Sequence, residues 1–328
     1  MPRAAIWLLS AGVLLFAGIL ASQGLRAVFE TLAVAGWGLP LVALWHVVPL
    51  ALDAASVRVM FDATKVHCSL RRVLLARWVS ESANSFLPAG PIGGPVLMTR
   101  YLAQRGMSMR DAAAAVTVST TLQTFAQIVF ASIGVALAGA RASHGLQGAL
   151  RVPLLVAGGI LAVSLVGFYV MQRRGLFGKL MRATARFSGK RDWSQITSQA
   201  DEIDLAVQAA YGRPGSVAAS FLFSLLGWML GTMEVYLILQ LLRFPVGWDD
   251  ALLVESLGQA IRGAGFAIPG SLGIQEGGYL LLAPLVGLRP ETALALSLAK
   301  RAREVLLGLP GLLYAHLSER GRRRRAAV

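Results

Sequence analysis

Apolar residues fall along this chain in long, nearly unbroken blocks, without the alternation of a half-buried strand or the narrow stripe of a surface helix. The blocks run from about 5 to 23, 37 to 57, 73 to 99, 111 to 138, 152 to 171, 216 to 242, 251 to 286 and 291 to 315. Several keep roughly 18 or more residues with almost no charge, the length a helix needs to cross about 30 Å of hydrocarbon. The pattern predicts an all-α polytopic membrane protein. The first block follows Arg3, as the apolar core of a signal peptide would, but it is too long for one and further spans follow, so we read it as a retained anchor.

Two blocks differ from plain spans. The block at 73 to 99 is interrupted around Pro88, Gly90, Gly93 and Gly94, and the block at 251 to 286 around Pro269, Gly270 and Gly273. Proline lacks the backbone donor, and glycine costs about 1 kcal/mol against alanine in a helix interior, so helix breaks are expected at both places.

Composition agrees with burial in lipid: 55% of the 328 residues are apolar and 15% charged. The net charge of +14 does not point to nucleic acid, because Lys and Arg concentrate in the connections rather than along one face. The connections 58 to 72 and 173 to 213 and the tail Arg320 to Arg325 are the basic ones, so the positive-inside rule places all three in the cytoplasm. The linkers 139 to 151 and 243 to 250 are poorer and fall outside. With those assignments the block 73 to 99 must start and end inside, and the block 251 to 286 must start and end outside. Both are then re-entrant helical hairpins, entering from opposite faces, beside about six full transmembrane helices, with both termini cytoplasmic.

Shifting the chain on itself by 181 residues superposes Pro88 on Pro269, Gly106 on Gly287, Ala83 on Ala264 and Ala112 on Ala293. The same shift pairs Asp53 with Glu234, each the lone acid inside its span. Opposite orientation of two such halves is an inverted-topology repeat, with the binding site near the midplane. The expected division is a first repeat at 1 to 140, a second at 141 to 318 containing the basic loop 173 to 213, and a basic tail at 319 to 328.

Charged groups within a span cost roughly 2.5–3.5 kcal/mol each on insertion scales, so each must face the bundle interior, snorkel or be paired. The candidates are Asp53, Arg77, Glu81, Asn84, Arg100, Gln123 and Gln127 in the first half, and Glu234, Glu255, Gln259, Arg262, Gln275, Glu276, Lys300, Arg301, Arg303 and Glu304 in the second. A plainer alternative stands beside the functional one: Arg77 with Glu81, and Lys300 with Glu304, are spaced to pair along one helix. Asp53 lies close enough to Arg58 to snorkel to the basic edge, whereas Glu234 sits deeper and is favoured as functional; both are candidate coupling acids. His46 reads as a packed or interfacial residue, and Trp37, Trp45, Trp228 and Trp248 as interface anchors. The run Arg322 to Arg325 suits anionic headgroups and topology alike.

Catalytic signatures are missing: the sequence holds no phosphate-binding Gly-x-x-x-x-Gly-Lys loop, no His-Glu-x-x-His and no Gly-x-Ser-x-Gly. Ser80, Ser82 and Ser85 flank Glu81 without a histidine placed by sequence to activate them. Cys68 is the only cysteine and reads as a bystander. No enzyme activity, cofactor or metal is expected.

The segment Asn84-Ser-Phe-Leu-Pro-Ala-Gly-Pro-Ile-Gly-Gly, with Arg100 and Gly106 following, resembles the membrane domain of lysylphosphatidylglycerol synthases and their flippase-like relatives. The segments Glu255 to Tyr279 and Ala293 to Glu304 are similar to the hopanoid-biosynthesis-associated HpnL branch of that family. The resemblance implies a protein of the bacterial inner membrane that moves a lipid, a hopanoid or an anionic phospholipid, between leaflets or toward the outer membrane, alongside hopanoid-synthesis or transport proteins as partners. The positions it carries over are Asn84, Pro88, Gly93, Gly94 and Arg100, then Gln259, Arg262, Pro269, Gly273, Gln275 and Glu276. Where many relatives have a glutamate after the paired glycines this chain has Pro95, with Glu81 as the candidate substitute. The synthases continue into an aminoacyl-transferring domain, whereas this chain stops soon after Arg325, so aminoacyl transfer is not expected.

On this reading Glu81, Asn84, Arg262 and Glu276 hydrogen-bond a polyol headgroup, with Gln259, Gln275 and Glu304 nearby, or Arg100 and Lys300, Arg301 and Arg303 neutralise a phosphate. Two rivals remain: a proton-coupled small-solute transporter using Asp53 and Glu234, and a membrane-embedded enzyme or assembly partner of hopanoid synthesis.

Overall fold

A computed structural model of the chain describes residues 30, 33–61, 68–86, 90–141, 159, 194–265, 268 and 271–326. The apolar blocks at 5 to 23 and 152 to 171, together with Pro88, Pro269 and Gly270, lie outside the described residues. Among those described, regular structure is helical and no strand occurs.

The block at 37 to 57 forms α1 (Gly38–Trp45) and α2 (Val47–Arg58), nearly continuous across a turn at His46. Then follow α3 (Leu70–Phe86), α4 (Gly90–Ala103), α5 (Met109–Arg141), α6 (Ser194–Tyr211), α7 (Pro214–Leu241), α8 (Trp248–Ala264), α9 (Ile274–Leu282) with a 3-10 turn Ala283–Val286, and α10 (Pro290–Ala326). Among the described residues three stretches are long and apolar enough to cross a membrane: Gly38–Arg58, Met109–Ala140 and Pro214–Leu241. Helix α10 has 37 residues, roughly 55 Å at 1.5 Å per residue, but Lys300, Arg301, Arg303 and Glu304 interrupt its apolar character.

Each broken block is a pair of helices packed on one another, α3 against α4 and α8 against α9. The first break is narrower than the glycine pattern predicts. Gly90, Gly93 and Gly94 do not interrupt the chain; they lie inside α4, which also contains Pro95. A proline one residue into a helix loses only a donor that the first turn leaves unpaired anyway, so Pro91 starts α4 without penalty. Gly94 is needed for contact: a Cβ there would collide with the Asn84 side chain and the Ser80 carbonyl. In the second hairpin Gly273 does mark the break. It adopts φ +78° ahead of α9, and its N–H donates to Glu276 Oε2 at 2.7 Å. Ser271, at φ +49°, holds a left-handed conformation that is uncommon outside glycine.

Two further boundaries differ from the sequence pattern. Residues 194 to 211 of the basic connection form α6, whose Ala206, Val207 and Ala210 pack into the core. Arg320 to Arg325 continue α10 instead of forming a separate tail.

The apolar core is split between the two ends of the bundle. One cluster collects Val57 at the end of α2 with Met60 and Phe61 just after it, Val73 at the start of α3, Tyr101 and Leu102 at the end of α4, Ala112 and Ala115 at the start of α5, and part of α6. A second collects Val42, the end of α7 (Ile238, Leu242), the start of α8 (Ala251, Val254), Ala283 after α9, and the start of α10 (Ala293, Leu296), and a small third cluster joins Leu253 and Leu257 of α8 to Leu282 of α9. The open ends of the two hairpins therefore belong to different clusters. A layer rich in polar residues lies between.

Candidate functional site

Helical periodicity puts polar residues on inward faces of that middle layer. Arg77, Glu81 and Asn84 on α3, Thr120, Gln123, Thr124 and Gln127 on α5, and Glu255, Gln259 and Arg262 on α8 recur every three or four residues, the spacing of one helix face. With His46 and Asp53, Trp228 and Glu234 on α7, and Arg303 and Glu304 on α10, they surround a cavity of about 350 Å³. Residues flanking both hairpin breaks, Asn84 and Ser85 at the first and Ile268 and Ser271 at the second, border this same cavity.

The charges are paired across helices. Arg303 Nε donates to Glu234 Oε1 at 3.1 Å and its Nη1 lies 3.3 Å from Glu81 Oε1, so α10 ties α7 to α3. His46 sits between the same carboxylates, Nε2 at 2.8 Å from Glu81 Oε1 and Nδ1 at 3.0 Å from Glu234 Oε2. Arg77 Nη2 donates to Asp53 Oδ2 at 2.8 Å. Deeper still, Lys300 and Glu255 meet at 2.6 Å with side chains only 1% and 3% exposed. Gln259 Nε2 donates to the other Glu255 oxygen at 2.8 Å.

A second set fastens the break of the second hairpin to α10. Arg262 meets Glu304 at 2.6 Å and Gln275 Oε1 at 3.0 Å. Arg301 contacts Glu276 at 3.1 Å, Glu304 at 3.2 Å and the Ser271 carbonyl at 3.2 Å. Ser297 Oγ accepts from Gln275 Nε2 at 2.8 Å and donates to Glu276 Oε1 at 3.0 Å. The strained Ser271 is thus held by the Arg301 guanidinium on its carbonyl and by its own hydroxyl, which donates to the Arg262 carbonyl at 3.3 Å. Such pairing offsets what would otherwise be a large cost of burying charge.

The sequence-predicted residues divide accordingly. Asp53, Glu81, Asn84, Glu234, Gln259, Arg262 and Glu304 line the cavity, whereas Gln275, Glu276, Lys300 and Arg301 stand behind them as partners. Arg100 is not brought to the site; it projects from the outer side of α4 as an exposed residue. Three sequence readings are corrected. Asp53 does not snorkel toward Arg58, since Arg77 on the neighbouring helix pairs with it. The intrahelical pairing of Arg77 with Glu81 and of Lys300 with Glu304 gives way to interhelical pairing, which neutralises charge and joins helices together. Trp228 is no interface anchor: it lies mid-helix, lines the cavity, donates to the Gln123 carbonyl at 3.2 Å and stacks on Phe130. Trp37, 93% exposed, and Trp248 keep surface positions.

His46 is the principal residue that sequence reasoning passed over as a packing histidine. Its partners are 35 and 188 residues away, so no local spacing could announce them. Thr120 and Thr124 were legible in principle, as members of one polar stripe with Gln123 and Gln127. Among the described residues the Gln123 side chain has no hydrogen-bond partner, and Asn84 uses only its oxygen, accepting from Gly94 N–H at 2.9 Å. Cys68 is buried between α2 and α3, away from the cavity, and burial pushes its thiol above the usual range against the opposing pull of Arg72 and Arg58.

No curated protein matches the sequence. The family model described as the lysylphosphatidylglycerol synthase TM region matches residues 5–311, nearly the whole chain. Three apolar membrane-length helices around a buried polar layer accord with that match, and the chain belongs to the lysylphosphatidylglycerol synthase transmembrane-region family of membrane proteins related to lipid handling.

Proposed function

We propose that the chain is a lipid translocator of the bacterial inner membrane, in which a headgroup crosses through the polar cavity while the apolar body of the lipid stays in the bilayer. The observation that carries this reading is the cavity itself: about 350 Å³, between the apolar ends of the bundle, walled by polar side chains from both halves. Ligand pockets run from about 300 to 1,000 Å³, so the space suits a headgroup and not a whole lipid.

An extended hopanoid with a polyol headgroup is our first candidate substrate, on the likeness of the segments Glu255 to Tyr279 and Ala293 to Glu304 to the HpnL branch. Charge supports an uncharged headgroup over a phosphate. Arg77, Arg262 and Arg303 each face a carboxylate already, so a phosphate would have to displace one, while Asn84 Nδ2 and the Gln123 amide are free to bond hydroxyls.

In this reading the two hairpins dip into the bilayer from opposite faces and both termini are cytoplasmic. The placement of their open ends in different apolar clusters supports it, as does the recurrence of element boundaries at the 181-residue offset, where α5 begins at Met109 and α10 at Pro290. Inverted halves of this kind alternate access by rocking about a central site.

The test is transfer of a nitrobenzoxadiazole-labelled hopanoid polyol between leaflets of liposomes containing the purified chain, read by dithionite quenching. Transfer well above protein-free liposomes, slowed in Arg262→Ala, supports the reading; rates equal to protein-free liposomes overturn it. In cells, deletion should leave total hopanoid unchanged and shift its distribution between membranes, whereas loss of the product itself would indicate a role in synthesis.

A further inference from the structure

Resting on the translocator reading, we propose that transport is coupled to a proton carried by His46, held between Glu81 of one half and Glu234 of the other. The imidazole makes a two-sided bridge, with Nδ1 3.0 Å from Glu234 Oε2 and Nε2 2.8 Å from Glu81 Oε1. Ionised carboxylates only accept hydrogen bonds, and a neutral imidazole has a single N–H, so a neutral ring would set one bare nitrogen against a bare oxygen. Both contacts are hydrogen bonds only when each ring nitrogen bears a proton.

Charge balance leads to the same place. The ion pairs described above contain six carboxylates but five permanent cations, and the imidazolium supplies the sixth positive charge. A layer lying between two apolar clusters pays heavily for an uncompensated charge. Arg303 faces the same groups, its Nη1 3.3 Å from Glu81 Oε1 and 3.3 Å from His46 Nε2, a nitrogen to which it can donate only when the ring is neutral; a guanidinium does not release its proton, so Arg303 positions the carboxylates without exchanging. Asp53 on the following helix is held by Arg77, and α5 presents only uncharged side chains to the cavity. His46 is therefore the one group facing this junction that can gain and lose a proton with both carboxylates remaining ionised.

Its place in the fold connects that proton to movement. His46 forms the turn between α1 and α2, Glu81 belongs to the first hairpin, and Glu234 belongs to α7 of the second half. With the proton present the ring joins the halves; without it, one of the two bridges opens. A proton taken up from one aqueous face and released to the other then biases the rocking equilibrium, because it binds the bridged state better than the open one. Nothing else is consumed, and the proton emerges unchanged.

Two measurements test this. The chain has four histidines; with ¹⁵N-labelled histidine in lipid nanodiscs, His46 is the signal absent from His46→Gln. At pH 7.5 it should show both ring nitrogens protonated, and Glu81→Gln should return it to a single-proton tautomer. A neutral His46 in the wild type overturns the proposal without reference to transport. In liposomes with a one-unit pH difference, one proton per lipid should drive the labelled hopanoid polyol toward an asymmetry of up to about tenfold between leaflets, and both variants should leave it even. A wild type that equilibrates the probe evenly despite the gradient overturns coupling and leaves the translocator reading intact. A wild type that moves no probe overturns that reading and the coupling with it.

Discussion

Arg262, in the last turn of α8, and Glu304, midway along α10, meet at 2.6 Å in the cavity wall and so fasten the second hairpin to α10. Glu304 is also held by Arg301, and Arg262 also reaches Gln275, so the pair is the crossing point of two polar chains. Groups in one such network do not act additively.

The first prediction concerns that coupling. Removing one member of a buried pair leaves the other uncompensated and costs about 3–5 kcal/mol. Arg262→Ala should lower the thermal midpoint in detergent clearly. Arg262→Ala combined with Glu304→Ala should be less destabilised than the sum of the single changes. Strict additivity in a double-mutant cycle would mean that the two groups do not interact.

Lys300 with Glu255 poses a sharper version. This pair is buried almost completely and does not touch the cavity through Lys300. Lys300→Met alone should cost about 3–5 kcal/mol, because Glu255 keeps only Gln259 as a partner. Adding Glu255→Gln should recover most of that loss, since a neutral amide then faces the apolar replacement side chain and no charge is left buried. A double variant as unstable as Lys300→Met would show that the pair's geometry, not its charge balance, matters.

Much of this arrangement was visible in the chain and some of it was not. Within the described residues the long blocks foretold the helices, and the proline and glycine clusters located the breaks between α3 and α4 and between α8 and α9, because length and helix breaking are local properties. Polar residues inside apolar blocks likewise pointed to Glu81, Arg262 and Glu304. Pairing was the part that stayed hidden: Arg77 meets Asp53 and not Glu81, and Lys300 meets Glu255 and not Glu304, since interhelical packing overrides the i, i+4 neighbour. Nor could spacing along the chain separate Arg100, which faces outward, from Arg262, which faces the cavity.

Gly94 gives a packing prediction. Any side chain there meets the Asn84 amide and the Ser80 carbonyl across the first hairpin. Gly94→Val should therefore force α3 and α4 apart and cost about 1–3 kcal/mol, the usual penalty of overpacking. The thermal midpoint should fall more for Gly94→Val than for Val96→Ala, since Val96 is exposed on the same helix. Equal midpoints would show that the hairpin opens without strain.

Cys68 offers a test with a clean background, being the only thiol in the chain. Only the thiolate is nucleophilic, and burial raises the pH at which it forms. Iodoacetamide should modify Cys68 much more slowly than a denatured control at pH 7.5. The rate should still be climbing steeply at about pH 10, where an unperturbed thiol, with its midpoint near 8.5, is almost fully ionised. A rate that is half-maximal near pH 8.5 would place the thiol in solvent.

Replacing Cys68 by Ala then permits the decisive mapping of the hairpins. If the first hairpin is re-entrant, its two open ends share one membrane face, so single cysteines at Ser69 and Arg110, both exposed, should react with an impermeant maleimide from the same side. The second hairpin should give the same result at Pro245 and Arg289, also exposed, but from the opposite side. Labelling in right-side-out and inverted vesicles distinguishes the faces. Reaction of Ser69→Cys and Arg110→Cys from different faces would make 73 to 99 a crossing segment. The halves would then share one orientation, and the cavity could not serve both faces by rocking.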